Sequence, residues 1–151
     1  LNPGDVAYGE FVLEMFGIFG IDEPVTFSIS GTAVEQLLLF SQGQVFQRGM
    51  AAPDGTAFDL DSFRAAMAES QASGVPLESV EHLELVGADQ SGSIWVNRHV
   101  TTYWSQGATV EANEVGLEII GGTGPYALIR GSGTGKSPSP YPTVTGFVTA
   151  L

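Results

Sequence analysis

Apolar and polar residues alternate with period two along most of this chain. In residues 8–16, Phe11, Leu13 and Met15 fall on one phase and Glu10, Val12 and Glu14 on the other, which predicts a half-buried strand. Residues 25–30 repeat the pattern with Val25, Phe27 and Ile29, until Gly31 breaks it. Between them, Gly17, Gly20 and Asp22-Glu23-Pro24 form a turn-rich link. Residues 34–50 carry two patterns. Val34-Glu35-Gln36-Leu37-Leu38-Leu39-Phe40 would open a helix after Thr32, whereas Leu38, Phe40, Gln42, Gln44 and Phe46, with Gly43 among them, fit strand, bulge or turn, strand. We read the segment as strand. Pro53-Asp54-Gly55 is a turn.

Residues 59–73 switch to helical spacing. Asp59 or Asp61 supplies a cap, Ala65, Ala66, Met67 and Ala68 are good helix formers, and Phe63, Met67 and Ala66 form an apolar stripe. Gly74 and Pro76 end it. Such a helix would plug one end of a sheet structure or cover an exposed edge.

Strand patterning then resumes over residues 80–86, 93–105, 109–120, 126–132 and 143–149. The separators are Asp89-Gln90-Ser91-Gly92, Gly107, a glycine-rich loop after Ile120, and a Gly/Ser/Pro-rich stretch at 133–142. Seven or eight strands, one helix and no strand–helix–strand alternation imply an all-β, antiparallel barrel or sandwich, with residues 1–151 in one domain.

Composition narrows the function. With 43% apolar residues, 20 glycines and 8 prolines, the chain suits a turn-rich β fold and is too apolar for disorder. No apolar run is long enough to span a bilayer. Seventeen acidic against five basic residues give a net charge of −12, a surface that repels nucleic acid and anionic membranes. Without cysteine there is neither a disulfide nor thiolate chemistry. His82 and His99 are the only histidines and lack metal-ligand spacing, so no metal or cofactor is expected. A nucleophilic serine would need a G-x-S-x-G elbow, and Gly131-Ser132-Gly133 is too short a match. The chain opens on Leu1-Asn2-Pro3-Gly4 rather than Met, as a processed or trimmed chain would.

The stretch Ile119-Ile120-Gly121-Gly122-Thr123-Gly124-Pro125-Tyr126-Ala127-Leu128-Ile129-Arg130-Gly131 carries the strongest motif. A glycine loop that cradles phosphate needs a helix after it. Here β-prone residues follow, and Gly135-Lys136-Ser137 runs into Pro138 and Pro140. The motif instead resembles the C-terminal signature of dirigent proteins. It is similar, too, to the related turn of allene oxide cyclases and of small bacterial barrel cyclases that act on polyketides. The resemblance implies an eight-stranded antiparallel barrel with a mostly apolar cavity, to which the pattern of residues 59–73 adds one short helix. It further implies a cofactor-independent cyclase or isomerase acting on an apolar polyene, polyketide or oxygenated lipid, assembled as a homo-dimer or homo-trimer. A non-catalytic barrel that binds or carries a lipophilic molecule is the alternative, and a structural or interaction module whose barrel is filled by its own side chains is a third reading.

Candidate site residues come from the phases. On residues 93–104, Trp95, Asn97, His99, Thr101 and Tyr103 share one face, mixing aromatic walls with hydrogen-bonding groups as a ligand cavity would. The other face, Ile94, Val96, Arg98, Val100, Thr102 and Trp104, reads as packing with Arg98 at its edge. Asn97, His99 and Tyr103, with Arg130, are the expected catalytic groups, able to polarise a carbonyl or hold developing negative charge. For Arg130 the resemblance adds that an arginine near the cavity handles substrate. Trp95, Glu111, Asn113 and Tyr126 are the expected substrate contacts, and His82 and Glu84 share a face on the preceding strand.

Overall fold

A computed structural model describes residues 7–17, 23–106 and 109–150. Eight strands close into a barrel in sequence order, each antiparallel to the next: β1 (Ala7–Phe16), β2 (Val25–Ser30), β3 (Gln42–Ala51), β4 (Leu77–Gly87), β5 (Ser93–Trp104), β6 (Val110–Gly122), β7 (Ile129–Ser137) and β8 (Val144–Ala150). β8 pairs with β1 from Ala7 opposite Ala150 to Leu13 opposite Val144, so the sheet has no free edge. The expected all-β barrel is the observed fold. The link at 18–22 and the turn at Gly107 lie outside the described residues.

The lumen is lined by one phase of each strand. Phe11 and Leu13, Phe27 and Ile29, Leu83 and Leu85, Ile94 and Val96, Leu117 and Ile119, and Val144 and Val148 are all buried. Branched aliphatic side chains fill an eight-stranded barrel well, because its interior is about as wide as two opposed side chains. On β7 the inward positions after Ile129 are instead Gly131, Gly133 and Gly135, and on β8 Gly146 stands between Val144 and Val148. A Cβ at Gly133 would stand 2.9 Å from Phe11 Cζ, and one at Gly131 would stand 3.2 Å from Ile119 Cδ1. Bare backbone on these strands thus makes room for large side chains from the strands that flank them, β6 and β1.

Those glycines correct the reading of residues 133–142 as one loop. β7 continues through Gly133 and Gly135 to Ser137, pairing with β6 as far as Asn113 opposite Ser137. Hydrogen bonds to both neighbouring strands impose the extended form that glycine alone does not favour. Residues 126–128, expected to begin the strand, belong instead to a 3-10 turn (Gly124–Tyr126) and the residues after it.

A second correction concerns residues 34–50. A short helix, α1 (Thr32–Gln36), precedes β3, and the strand begins only at Gln42. Leu38 takes a positive φ of 55°, which no strand accommodates. Thr32 Oγ1 accepts from the Glu10 main chain at 2.8 Å, and Ala33 is fully buried against Gly9, pinning α1 to β1.

The expected long helix is α2 (Leu60–Ser73). Asp59 Oδ1 accepts from Ser62 N at 2.7 Å while Ser62 Oγ accepts from Asp59 N at 2.9 Å, a reciprocal cap, and Gly74 closes the helix at φ 75°. Hydrogen bonding from Ser62 holds the Asp59 carboxyl below its ordinary pKa. The apolar stripe is only half covered. Phe63 packs edge-on against Phe58 at 5.8 Å, Met67 stays exposed, and Ser70 is the helix's one buried residue. Trp104 Nε1 donates to Ser70 Oγ at 2.7 Å, docking α2 beside the end of β5.

Close approach of β7 and β8 makes Gly146 intolerant of any side chain: an added Cβ would overlap the Ser132 carbonyl and lie 2.5 Å from Gly133 Cα. Gly116 faces open space. Gly146→Ala should therefore cost at least the ~1–3 kcal/mol of an overpacked core, whereas Gly116→Ala should stay within about 0.5 kcal/mol of wild type in urea unfolding.

Candidate functional site

Two plugs close the barrel, and they differ in chemistry. At the end where β6 passes into β7, the glycine motif folds Tyr126 inward. Thr123 N donates to Ser93 O and Ser93 N donates to Thr123 Oγ1, both at 2.9 Å, fixing the motif to the start of β5. Gly124, at φ 56°, then turns the chain where a side chain would be strained. Buried Tyr126 packs edge-on against Phe40 with centroids 5.2 Å apart. Its hydroxyl donates to Leu38 O at 3.1 Å and lies 2.9 Å from Ser91 Oγ. The motif builds an aromatic stopper.

Below that stopper lies an apolar cavity of about 20 Å³ lined by Phe11, Leu13, Ile29, Leu85, Val96 and Leu117, among other aliphatic residues. That is room for about one water molecule, with no polar atom to hold it. Ligand pockets commonly measure about 300–1,000 Å³. This cavity is far smaller than that, because the aliphatic and aromatic side chains of the described residues fill the space around it.

The other end contains charge. Arg98 points inward from the middle of β5, only 2% exposed, and Glu81 points inward from β4 directly opposite. Arg98 Nη1 donates to Glu81 Oε1 at 2.5 Å, and Gln47 Nε2 donates to Glu81 Oε2 at 2.9 Å. Asn113, also buried, comes in from β6. Its Oδ1 accepts from Thr102 Oγ1 at 2.7 Å. Over this cluster lies a strap, residues 138–142, that joins β7 to β8. Arg98 Nη2 donates to Pro140 O at 2.6 Å, and Asn113 Nδ2 donates to Ser139 O at 3.0 Å and, at 3.5 Å, to Pro138 O. The Tyr141 ring sits 4.8 Å from the guanidinium carbon. Arg98 Nε is buried with no partner among the described residues. An orphaned buried donor costs about 1–3 kcal/mol, so this cluster is not optimised for stability alone.

Sorting β5 into two faces was sound, but the inward one is the reverse of that expected. Trp95 is 44% exposed, His99 is exposed, and Asn97 Oδ1 meets His82 Nδ1 at 2.7 Å on the outer wall. The barrel reserves its lumen for the phase with the buried aliphatic residues Ile94, Val96 and Val100, which carries Arg98 with it. Tyr103 is half-buried and faces outward beside Glu111 and Glu114, with Lys136 Nζ 5.9 Å from its ring centroid. Glu111 lies where the β5–β6 register slips between Tyr103 opposite Ala112 and Trp104 opposite Val110, and that irregularity turns it out to solvent. Asn113, beyond the slip, points in as expected.

Arg130 is exposed as well. Its guanidinium folds back so that Nη1 donates to Ile129 O at 2.7 Å and Ala127 O at 3.4 Å, tying down the turn after Tyr126. Tyr126 itself is core rather than an open wall. Thus Asn113 alone of the expected residues joins the buried polar cluster, and Arg98 and Glu81 were missed. A usable signal was present: each is the single charge in an otherwise uncharged, mostly apolar phase, Ile94-Val96-Arg98-Val100 and Leu77-Ser79-Glu81-Leu83-Leu85.

On the outer wall, Glu84 Oε1 accepts from Arg48 Nη2 at 2.7 Å and Oε2 accepts from Ser93 Oγ at 2.8 Å. The Arg48 hydrogen bond, helped by Ser93, holds the Glu84 carboxyl below its ordinary pKa. Among the described residues no three His, Asp or Glu side chains gather as a metal site, and no helix is long and apolar enough to cross a membrane. Searches of protein-family models, curated proteins and solved structures found no match for the chain.

Removing one member of the buried pair leaves the other uncompensated. Arg98→Met should destabilise the barrel by about 3–5 kcal/mol in urea, and adding Glu81→Leu should recover a large part of that loss. Glu84 gives a pH-dependent counterpart. Its depressed pKa contributes stability above the unfolded carboxylate value, and that stability is lost as pH falls through the folded value. Arg48→Ala should raise the Glu84 pKa in a carbon-detected NMR titration and flatten this part of the acid limb.

Proposed function

We propose that the protein is a cofactor-independent cyclase or isomerase that folds an apolar, oxygen-bearing substrate inside the barrel. The observation that carries this reading is the buried Arg98–Glu81–Asn113 cluster facing into an otherwise aliphatic lumen. A barrel that only needed to stand could fill these positions with aliphatic residues at equal or better stability. A wall of aliphatic side chains ending in fixed hydrogen-bond donors suits a flexible hydrocarbon chain with a carbonyl at one end. Holding such a chain in a near-attack geometry lowers the entropic part of the barrier to ring closure. Donors aimed at the carbonyl oxygen stabilise charge that develops there. The resemblance of residues 119–131 to the dirigent and allene oxide cyclase signature supports the same reading, together with a homo-dimer or homo-trimer.

One observation favours a second reading, a barrel that binds or carries a lipophilic molecule without turnover. Arg98 and Glu81 already neutralise each other, which leaves no unpaired base or acid among the lumen groups described. Turnover separates the two. A panel of polyenes, polyketide-like acids and oxygenated fatty acids should yield one class that binds saturably by calorimetry and converts to an isomer of unchanged mass. Val96→Phe, which fills the lumen, should abolish both effects, while His99→Ala on the outer wall should leave both intact. Conversion that survives Val96→Phe in a folded protein would place the chemistry outside the lumen and defeat the proposal.

A further inference from the structure

We infer that the strap at residues 138–142 is an internal ligand, and that its two successive peptide carbonyls occupy the polar subsite of the true one. This rests on the lumen reading above. Pro140 O takes the Arg98 Nη2 hydrogen and Ser139 O takes the Asn113 Nδ2 hydrogen, so both inward-facing donors are spent on one short piece of the chain. The strap is built to give up these contacts. Pro138, Pro140 and Pro142 have no N–H, the Tyr141 amide donates to Ser139 Oγ within the strap, and the Ser139 amide donates to Ser137 Oγ at the adjoining end of β7. Lifting it therefore strands no main-chain donor of its own, while the freed carbonyls meet water. Alternate prolines also restrict the backbone, which favours motion as a unit. The buried Arg98 Nε, left without a partner by the strap, remains as a donor that a larger or differently placed acceptor would satisfy.

The same contacts define the ligand class. Glu81 balances the charge on Arg98, and the chain already carries −12, so the subsite suits neutral acceptors rather than an anion. The ligand is an apolar molecule bearing two neutral carbonyl groups about as far apart as those of adjacent peptide units. Its aliphatic part would extend into the lumen towards Val96 and Leu117. Because it must displace the strap, its apparent affinity is reduced by the fraction of molecules in which the strap is closed.

Calorimetric titration with N-decanoylglycine methyl ester, which carries two such carbonyls on an apolar tail, tests this directly. The proteins are the wild type, a variant with Pro138, Pro140 and Pro142 all changed to Gly, and Asn113→Leu. The controls are 1-dodecanol, which lacks the carbonyls, and N-decanoylglycine, which is an anion. Loosening the strap should tighten the ester about tenfold, and Asn113→Leu should weaken it about tenfold, each the ratio that one net hydrogen bond supplies. The dodecanol affinity should change less on both counts, and the acid should bind more weakly than the ester. Ester binding that is unchanged by strap loosening, or dodecanol gaining as much, would overturn the internal-ligand assignment while leaving a lipophilic lumen standing. Tighter binding of the acid would overturn the neutral class. Failure of ester and dodecanol alike to bind the loosened variant would overturn both this inference and the lumen reading.

Discussion

Closure of the sheet is the constraint on which everything else depends. Eight antiparallel strands that return to their own beginning leave no unpaired edge, but they fix the interior volume within narrow limits. The chain meets that limit unevenly. Phe11 on β1 and Leu117 and Ile119 on β6 fill the space from either flank, and the glycines of β7 and β8 withdraw between them. A lumen closed in this way has little tolerance for added bulk, which is why the Arg98–Glu81 pair, the one buried ion pair among the described residues, stands out.

That pair and the aromatic stopper divide the barrel into unlike halves. The Tyr126 end is held by rings and by main-chain bonds that tie Thr123 to Ser93. The strap end is held by long polar side chains reaching up to main-chain carbonyls. One is a packed seal of aromatic rings and main-chain hydrogen bonds. The other is a set of directional contacts between side-chain donors and main-chain acceptors, the contacts on which the proposed exchange with a guest rests. Polar asymmetry along the barrel axis thus gives the lumen a head and a tail.

Much of this was legible in the sequence where local physics decides the outcome. The helix at α2 was readable because Asp59, Ser62 and Gly74 specify its ends without reference to anything distant. The strands were readable because period-two alternation survives on nearly all of them. The direction of each face was not. On β5 both phases contain large apolar residues, and the mixed aromatic-polar phase looked more like a binding wall than the plain aliphatic one. Only closure of the barrel decides which phase turns inward, and it chose the phase best able to fill a narrow tube. The β7 glycines misled for a related reason: strand structure there is imposed by neighbours, not by its own side chains. Glu111 escaped because a register slip cannot be seen in a single strand.

The seam between β1 and β8 has a consequence for how the fold is reached. Ala7 lies opposite Ala150, so one of the contacts that completes the barrel joins segments separated by almost the whole described chain. Such a topology pays its loop-closure entropy before the final ladder forms, which places it among slowly folding β structures. On the ribosome β1 must wait, with its hydrogen-bonding edge open, until β8 has been made. Glu10 and Glu14 on its outward phase put charge on that waiting strand, a disincentive to pairing with another copy.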